Sequence, residues 1–353
     1  MSVSPSSTGQ AAAWRLRVPP PPERIRPGLW AIATPVPTPI RYTLCYVLDA
    51  DGRLLVVDPG WPDDAARESL VAGLAGFGRG VEDIDAVVVT HLHPDHVGLA
   101  DWLLRRAPGA RLLMHPADLE RFLPDGGTRR AERDRGWSAL MRTVGAPDEL
   151  GIAVRVNPIP ELSADLAERV SPLLDGETLR HGGWELQALH VPGHTPGNLV
   201  LLERANRLLL SGDHLLPTIS PAITQQYHAD DDILDDYLSS LLRVRDLDVY
   251  EVLPGHQYRF RGLAERVEEM LAFHRERLDE LLAAVVGEPG ASCYELTQRI
   301  SWRSSGFDAL SSRDRVMAAR ETMAHLTRLR LSRRVSARRS RPGAVETLGW
   351  FRD

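Results

Sequence analysis

No lysine occurs in this 353-residue chain, so all 42 cationic side chains are arginines. That absence excludes Schiff-base chemistry and a phosphate-cradling P-loop lysine. Cysteine is nearly absent as well: Cys45 and Cys293 stand far apart. Two distant thiols build no disulfide framework, and a reducing cytoplasm is the expected compartment. No apolar run approaches the roughly 20 residues that span a bilayer, so no membrane partner is expected. The opening stretch, MSVSPSSTGQAAAWRLRVPPPPERIRPG, lacks the apolar core of a secretory signal. Its Ser, Pro and Ala content predicts a disordered or loosely attached arm over residues 1–28. A net charge of −6 argues against whole-chain affinity for nucleic acid. What remains is an ordinary soluble globular composition, long enough for one large or two modest domains.

From Leu29 the pattern becomes an alternation of short apolar runs and amphipathic segments. YTLCYVLDADGRLLVVDPG reads as two strands joined at Asp51-Gly52. ARESLVAGLAGFG has helical spacing, DIDAVVVT reads as a buried strand, and DHVGLADWLLRRAP reads as a helix that Asp95 caps. The order strand, helix, strand, helix predicts an α/β layered fold. Residues 116–175 hold helical pieces and Pro-rich connections without a strand ladder, and are expected to form a lid or pocket wall. Within them Trp137, Leu140 and Met141 are candidates for an apolar pocket lining, with core packing as the simpler reading. A second meander follows, GWELQALHVPGHTPGNLVLLERANRLLLSGDHLLP, then a helix and the short strand VYEVLPGH. A catalytic domain over 29–262 is expected, followed by a helical segment over 263–353. That segment holds a capping box from Ser292 to Glu295 and ends in a hairpin near Pro342-Gly343, a winged-helix-like order.

The chemistry concentrates in THLHPDH, residues 90–96, which ends an apolar strand. His91, His93, Asp95 and His96 stand there, and His194, Asp213 and His256 each follow another apolar strand in a Gly- or Pro-containing turn. Side chains at strand ends on one sheet edge converge. Imidazole and carboxylate suit zinc, and also iron or manganese. Seven donors exceed one tetrahedral ion and suit two ions that share a bridging carboxylate. Two such cations would activate a water against an electrophilic carbonyl, with Asp95 beside it to orient it or move its proton. His115, His190, His214 and His228 have no motif slot and are read as histidines outside the ligand set. Tyr227, with His228 next to it, lies on a loop expected to overhang the cluster, where a hydroxyl could donate to a developing oxyanion.

In chain order, VVDPG, THLHPDH, GHTPG, SGDHLLP and LPGH resemble the metallo-β-lactamase superfamily over most of residues 29–260. The resemblance implies a four-layer αββα sandwich. It implies that His91, His93 and His194 bind a first metal, that Asp95, His96 and His256 bind a second, and that Asp213 bridges them. It places Asp58 behind the ligands as an orienting carboxylate. The motifs are most similar to the branch of hydroxyacylglutathione hydrolases, acyl-thioesterases and lactonases. The segment 116–175 and the C-terminal appendage depart from the glutathione-specific enzymes. The expectation is therefore a binuclear hydrolase, most often zinc-dependent, acting on a thioester, ester or lactone of a small acyl substrate, with a homodimer as the assembly.

Two alternatives use the same ligands. One is a metal-dependent endoribonuclease or phosphodiesterase. Residues 299–341 carry Arg299, Arg303, Arg313, Arg315, Arg320, Arg328, Arg330, Arg333, Arg334, Arg338, Arg339 and Arg341 against Asp308, Asp314 and Glu321 alone. Such a patch contacts phosphates, although aromatics for base stacking are sparse there. The other is an iron-dependent oxygenase, since His and carboxylate serve iron equally well.

Overall fold

Residues 1–28, expected as a loosely attached arm, are built into the fold from residue 3 onward. The structure, a computed structural model, describes residues 3–125, 128–147, 149–150, 161–225, 231–302, 306–339 and 347–353. Ser4–Pro5 (β1) pairs antiparallel with a strand at Phe260–Arg261. Thr8–Leu16 (α1) is capped by Ser7, whose hydroxyl accepts from Gln10 N. The polar side chains that composition assigns to solvent have partners elsewhere. Ser6 Oγ donates to Glu251 at 2.6 Å, Ser7 Oγ donates to Glu23 at 2.7 Å, and Gln10 Oε1 accepts from Arg259 N at 3.0 Å. A composition argument counts such groups as solvated because partners 245 residues away are invisible to it.

One sheet runs in the order β2 (Glu23–Arg26), β3 (Leu29–Pro35), β4 (Tyr42–Ala50), β5 (Arg53–Val57), β6 (Ile84–Val88), β7 (Arg111–Met114), β8 (Val170–Pro172). The β4–β5 hairpin turns on Asp51 and Gly52, at φ 53° and 89°, as a two-residue Asp-Gly turn requires. From β5 to β8 the pairing is parallel. Strand β4 is buried from Tyr42 to Leu48 because both its faces are covered. Cys45 and Val47 pack toward α2 (Asp64–Ala75), whose Ala66, Leu70 and Leu74 are buried with them. Leu44, Tyr46 and Leu48 face the other way, into a core shared with Leu186, Leu199, Leu201, Leu210 and Leu253 of the second sheet.

The second sheet runs β1, β14 (Phe260–Arg261), β13 (Glu251–Pro254), β12 (Leu208–Gly212), β11 (Leu199–Glu203), β10 (Trp184–His190), β9 (Thr178–His181). With helices on the outer faces, this is the four-layer αββα sandwich. The helix expected to start at Asp95 is two pieces, α3 (Pro94–Val97) and α4 (Ala100–Arg106). His93 is the N-cap residue of α3, with Pro94 at its first position and no side-chain cap bond. Asp95 therefore caps nothing; its carboxylate is turned toward His256. Strands β5, β6 and β7 in one sheet run parallel to one another, as do β12 and β13 in the other, and they end in loops at their C-terminal edges. In open α/β sheets that edge is where sites form.

The chain divides into two compact units. The sandwich unit is Met1–Pro124, Pro158–Pro221 and Ser240–Val267; the helical unit is Asp125–Asn157, Ala222–Ser239 and Glu268–Asp353. This corrects two expectations. The division expected at 262/263 falls instead between Val267 and Glu268, inside α8 (Leu263–Gly287), and another falls between Ser239 and Ser240, inside α7 (Ile233–Arg245). Nor is 116–175 one insertion. Its α5 (Pro116–Phe122) and β8 belong to the sandwich, β8 as an edge strand pairing with β7. Its α6 (Thr128–Val144) belongs to the helical core, where Leu140, Met141 and Val144 are buried with Leu281, Val285, Leu296 and Leu326, and Trp137 packs against them. An amphipathic helix buries its apolar stripe wherever a complementary face exists, and sequence proximity does not select that face. Residues 151–160 of this segment lie outside the described residues, as does the hairpin turn at Pro342-Gly343. The remaining helical-unit elements are α9 (Cys293–Thr297), α10 (Ser312–Leu331) and the hairpin β15 (Val335–Arg339) with β16 (Leu348–Arg352). The Ser292–Glu295 capping box is formed.

A buried histidine pair sits in the helical unit. His325 Nδ1 donates to Glu321 O at 2.8 Å, and His274 Nδ1 donates to His325 Nε2 at 3.1 Å. Burial pushes both imidazoles down, His325 to about 4, and His325 adds to the effect on His274. Unfolded, both take up a proton near pH 6.5; folded, they resist it. The stability this neutral pair confers is full above about pH 6.5 and is lost as pH falls toward 4, at about 1.4 kcal/mol per pH unit for each histidine. The wild-type urea midpoint is expected to drop between roughly pH 7 and pH 5 more steeply than that of a His274→Phe/His325→Leu variant. Parallel pH profiles would contradict the burial argument.

Candidate metal centre

Five of the seven donors named from the sequence follow strands, and Asp95 and His96 stand on α3. His91 and His93 follow β6, His194 follows β10, Asp213 follows β12 and His256 follows β13. They form three overlapping groups whose donor atoms lie within 4.8 Å of one another: His91, His93 and His194; His91, His96 and Asp213; Asp95, His96 and His256. Asp213 lies between the outer two. Its Oδ1 is 3.5 Å from His96 Nε2 and 3.3 Å from His256 Nε2, while its Oδ2 is 3.7 Å from His194 Nε2. Asp95 Oδ2 is 3.4 Å from His256 Nε2.

The groups behind the donors fix which nitrogen faces inward. Asp58, in left-handed backbone at φ 54°, accepts from Thr90 N at 2.8 Å, from Thr90 Oγ1 at 2.7 Å and from His96 Nδ1 at 2.9 Å. The Thr90 hydroxyl proton is thus committed to Asp58, so its oxygen accepts from His91 Nδ1 at 3.0 Å. His256 Nδ1 donates to Tyr42 O at 2.8 Å. In the neutral imidazoles this leaves lone pairs on the Nε2 atoms of His91, His96 and His256. The Nε2 atoms of His96 and His256 face each other at 3.3 Å. Two lone pairs at that separation repel unless a positive charge stands with them, which is the arrangement a cation-binding donor set requires. The residues present therefore fit divalent metal ions.

Electrostatics divides the histidines. Burial drives His91 below the ordinary imidazole range, and drives His93 down to about 3, with the neighbouring imidazoles adding to it. For His96 and His256 burial opposes the charge, but Asp213 outweighs it, joined by Asp58 at His96 and by Asp95 at His256. His96 is held well up and His256 is raised to about 9. Burial likewise opposes the anions of Asp95 and Asp213, and His256 and His96 overcome it, keeping both carboxyls well below the usual range.

Backbone approach matters as much as the donors. A Cβ on Gly255 would lie 2.7 Å from Asp213 Oδ1 and 2.7 Å from His96 Cε1. Only glycine lets the β13 loop pass this close.

The other histidines lie outside the three groups. His115 caps α5 and stacks on His190 with ring centroids 3.9 Å apart. His190 Nε2 donates to Pro196 O at 2.8 Å. His214 is buried, and burial lowers it to about 3. Tyr227 and His228 lie outside the described residues. Four contributors escaped the sequence reading: Thr90, the Tyr42 carbonyl, Gly255, and Asp118, whose carboxylate accepts from Leu92 N between His91 and His93. Thr90 and Gly255 stand inside the quoted motifs, and their spacing to the donors is the signal that could have found them. A backbone carbonyl leaves no sequence signal, and an acid in the first turn of a helix reads as a cap.

A two-sheet sandwich with buried histidine and carboxylate groups at its strand ends defines an αββα protein equipped to bind metal ions. A family model described as the metallo-beta-lactamase superfamily matches residues 38–256, and the chain belongs to that superfamily. A probable metallo-hydrolase, YqjP, of Bacillus subtilis (strain 168) is 24% identical over 303 residues, covering 84% of this chain and 90% of the relative. A hydroxyacylglutathione hydrolase of Anaeromyxobacter dehalogenans (strain 2CP-C) is 30% identical over 243 residues, 68% of this chain and 71% of the relative. Among solved structures, a metallo-beta-lactamase family protein from Thermus thermophilus superposes with a TM-score of 0.77 at 29% identity, covering 94% of this chain and all of the other.

Proposed function

We propose that the chain is a binuclear metal-dependent hydrolase that cleaves a thioester, ester or lactone of a small acyl substrate. The observation that carries this reading is the convergence of three donor groups around Asp213, with inward-facing nitrogen lone pairs fixed from behind by Asp58, Thr90 and Tyr42 O. His91, His93 and His194 would hold one ion, Asp95, His96 and His256 the other, and Asp213 would serve both. When bound, divalent cations supply Lewis acidity toward a carbonyl oxygen and a water acidic enough to act as a nucleophile near neutral pH. Asp58 and Tyr42 O keep His96 and His256 in the one tautomer that presents Nε2. Asp95 keeps 18% of its side chain exposed, beside the buried His256, and is placed to take the proton of an attacking water.

Two observations favour an acyl substrate over a polynucleotide. The relative at 30% identity is named a hydroxyacylglutathione hydrolase. Three arginines of the arginine-rich segment are also paired within the helical unit: Arg328 with Asp232 and Asp235, Arg334 with Asp279, and Arg299 with Glu288. Paired arginines release fewer counterions on meeting phosphate. Zinc is the proposed metal, on the donor types alone. The test joins metal analysis of the purified protein to a panel of acyl-thioesters, esters, lactones and phosphodiesters. Two zinc ions per chain are expected, with carbonyl-substrate turnover that a chelator removes and zinc restores. Bound iron with oxygen uptake, or turnover of phosphodiesters alone, would overturn the reading.

A further inference from the structure

Asp118 belongs to none of the three donor groups and to no motif, yet it is fully buried. Its Oδ2 accepts from Leu92 N at 2.9 Å and from Thr195 Oγ1 at 2.6 Å, and its Oδ1 accepts from Gly197 N at 2.9 Å. Leu92 stands between His91 and His93, and Thr195 follows His194. One carboxylate thus ties together the two loops that carry the His91, His93 and His194 group. The approach is close enough to exclude any side chain at Gly197: a Cβ there would lie 2.6 Å from Asp118 N and 2.7 Å from its Cγ. Local sequence delivers the group to this point. Strand β7 ends at Met114, His115 caps the next helix, Pro116 opens it, and Asp118 falls in its first turn.

Asp58 does the corresponding work elsewhere, since it bonds His96 directly. We propose that Asp118 is a positioning residue for the His91, His93 and His194 group, setting that group's metal affinity independently of the Asp95, His96 and His256 group. This rests on the two-ion reading above. The physical basis is that three hydrogen bonds to one buried anion fix the separation of two loops whose donors must meet at one ion. Asparagine at 118 cannot replace them. Its amide nitrogen would set donor against donor, at Gly197 N or at Leu92 N and Thr195 Oγ1.

The test is zinc titration of metal-free protein in two backgrounds, read by calorimetry and by chelator competition. In His256→Ala, which breaks the Asp95, His96 and His256 group and leaves the His91, His93 and His194 group complete, adding Asp118→Asn is expected to weaken zinc about 10- to 100-fold. In His194→Ala, where the other group stays complete, the same change is expected to leave affinity unaltered. Thr195→Val, which removes one of the three bonds, is expected to give a smaller loss in the first background only. It serves if Asp118→Asn fails to fold. Equal losses in both backgrounds would mean general destabilisation, and no loss in either would mean no positioning role; each overturns the proposal. Parent protein that binds no zinc sinks the two-ion reading itself, whereas two bound ions without selective loss sink only the role of Asp118.

Discussion

Asp213→Ala is expected to lower hydrolytic turnover by at least about 10³-fold, the upper end of what removal of one preorganised polar group costs. Bound metal is expected to fall from two ions to at most one, with far-UV circular dichroism unchanged. The size of the effect follows from position. Asp213 faces His96 and His256 through one oxygen and His194 through the other, so its loss touches the donors of both outer groups. The fold is expected to survive because β12 is anchored by Leu208, Leu209 and Leu210, all buried, and not by the carboxylate that follows it. Asp213→Asn, which keeps the shape and removes the charge, is expected to lose nearly as much. Wild-type turnover in either variant would sink the assignment of the centre.

Arg259→Ala is expected to destabilise the sandwich unit by about 3–5 kcal/mol, the cost of leaving a buried charge without its partner. Its guanidinium pairs with Glu251 and with Glu23, and the side chains of Arg259 and Glu251 are each only 5% exposed. Glu251 would retain Arg26 at 3.4 Å and the Ser6 hydroxyl at 2.6 Å, which places the effect toward the lower end. Since domains are stable by only about 5–15 kcal/mol, such a loss is a large fraction of the total. Urea unfolding measures it, and the double variant Arg259→Met/Glu251→Gln is expected to recover part of the loss because no charge is then stranded. A loss under about 1 kcal/mol would show that the network behaves as a surface pair. This network also holds the N-terminal segment: Ser6 bonds Glu251 and Gln10 bonds Arg259, on either side of His256 in the chain, and Ser7 bonds Glu23 of β2.

The hairpin at Asp51-Gly52, the buried strand before Thr90 and the capping box at Ser292 were legible because each is decided by residues within one or two turns of chain. The same holds for the donor positions, since each closes an apolar run with a Gly- or Pro-containing turn. The Arg-rich segment shows where local reading stops. Its charge count is a fact of sequence, but Asp232, Asp235, Asp279 and Glu288, which pair with it, lie before it in the chain. The helix at Thr128–Val144 is a similar case: its apolar face was visible and core packing was the simpler reading, but the partner that buries it was not visible.

By itself, then, the sequence determined the α/β layering, the strand ends and the positions of the seven candidate donors, because short apolar runs, turn residues and imidazole or carboxylate side chains are read locally. Only the tertiary structure decided that residues 3–28 are part of the sandwich, that residues 128–144 join the helical core, and that Asp118 clamps one group of donors while Asp58 and a Tyr42 carbonyl orient the other. Those outcomes depend on which distant groups share a buried volume, where an unpaired polar atom is costly and each must find its partner.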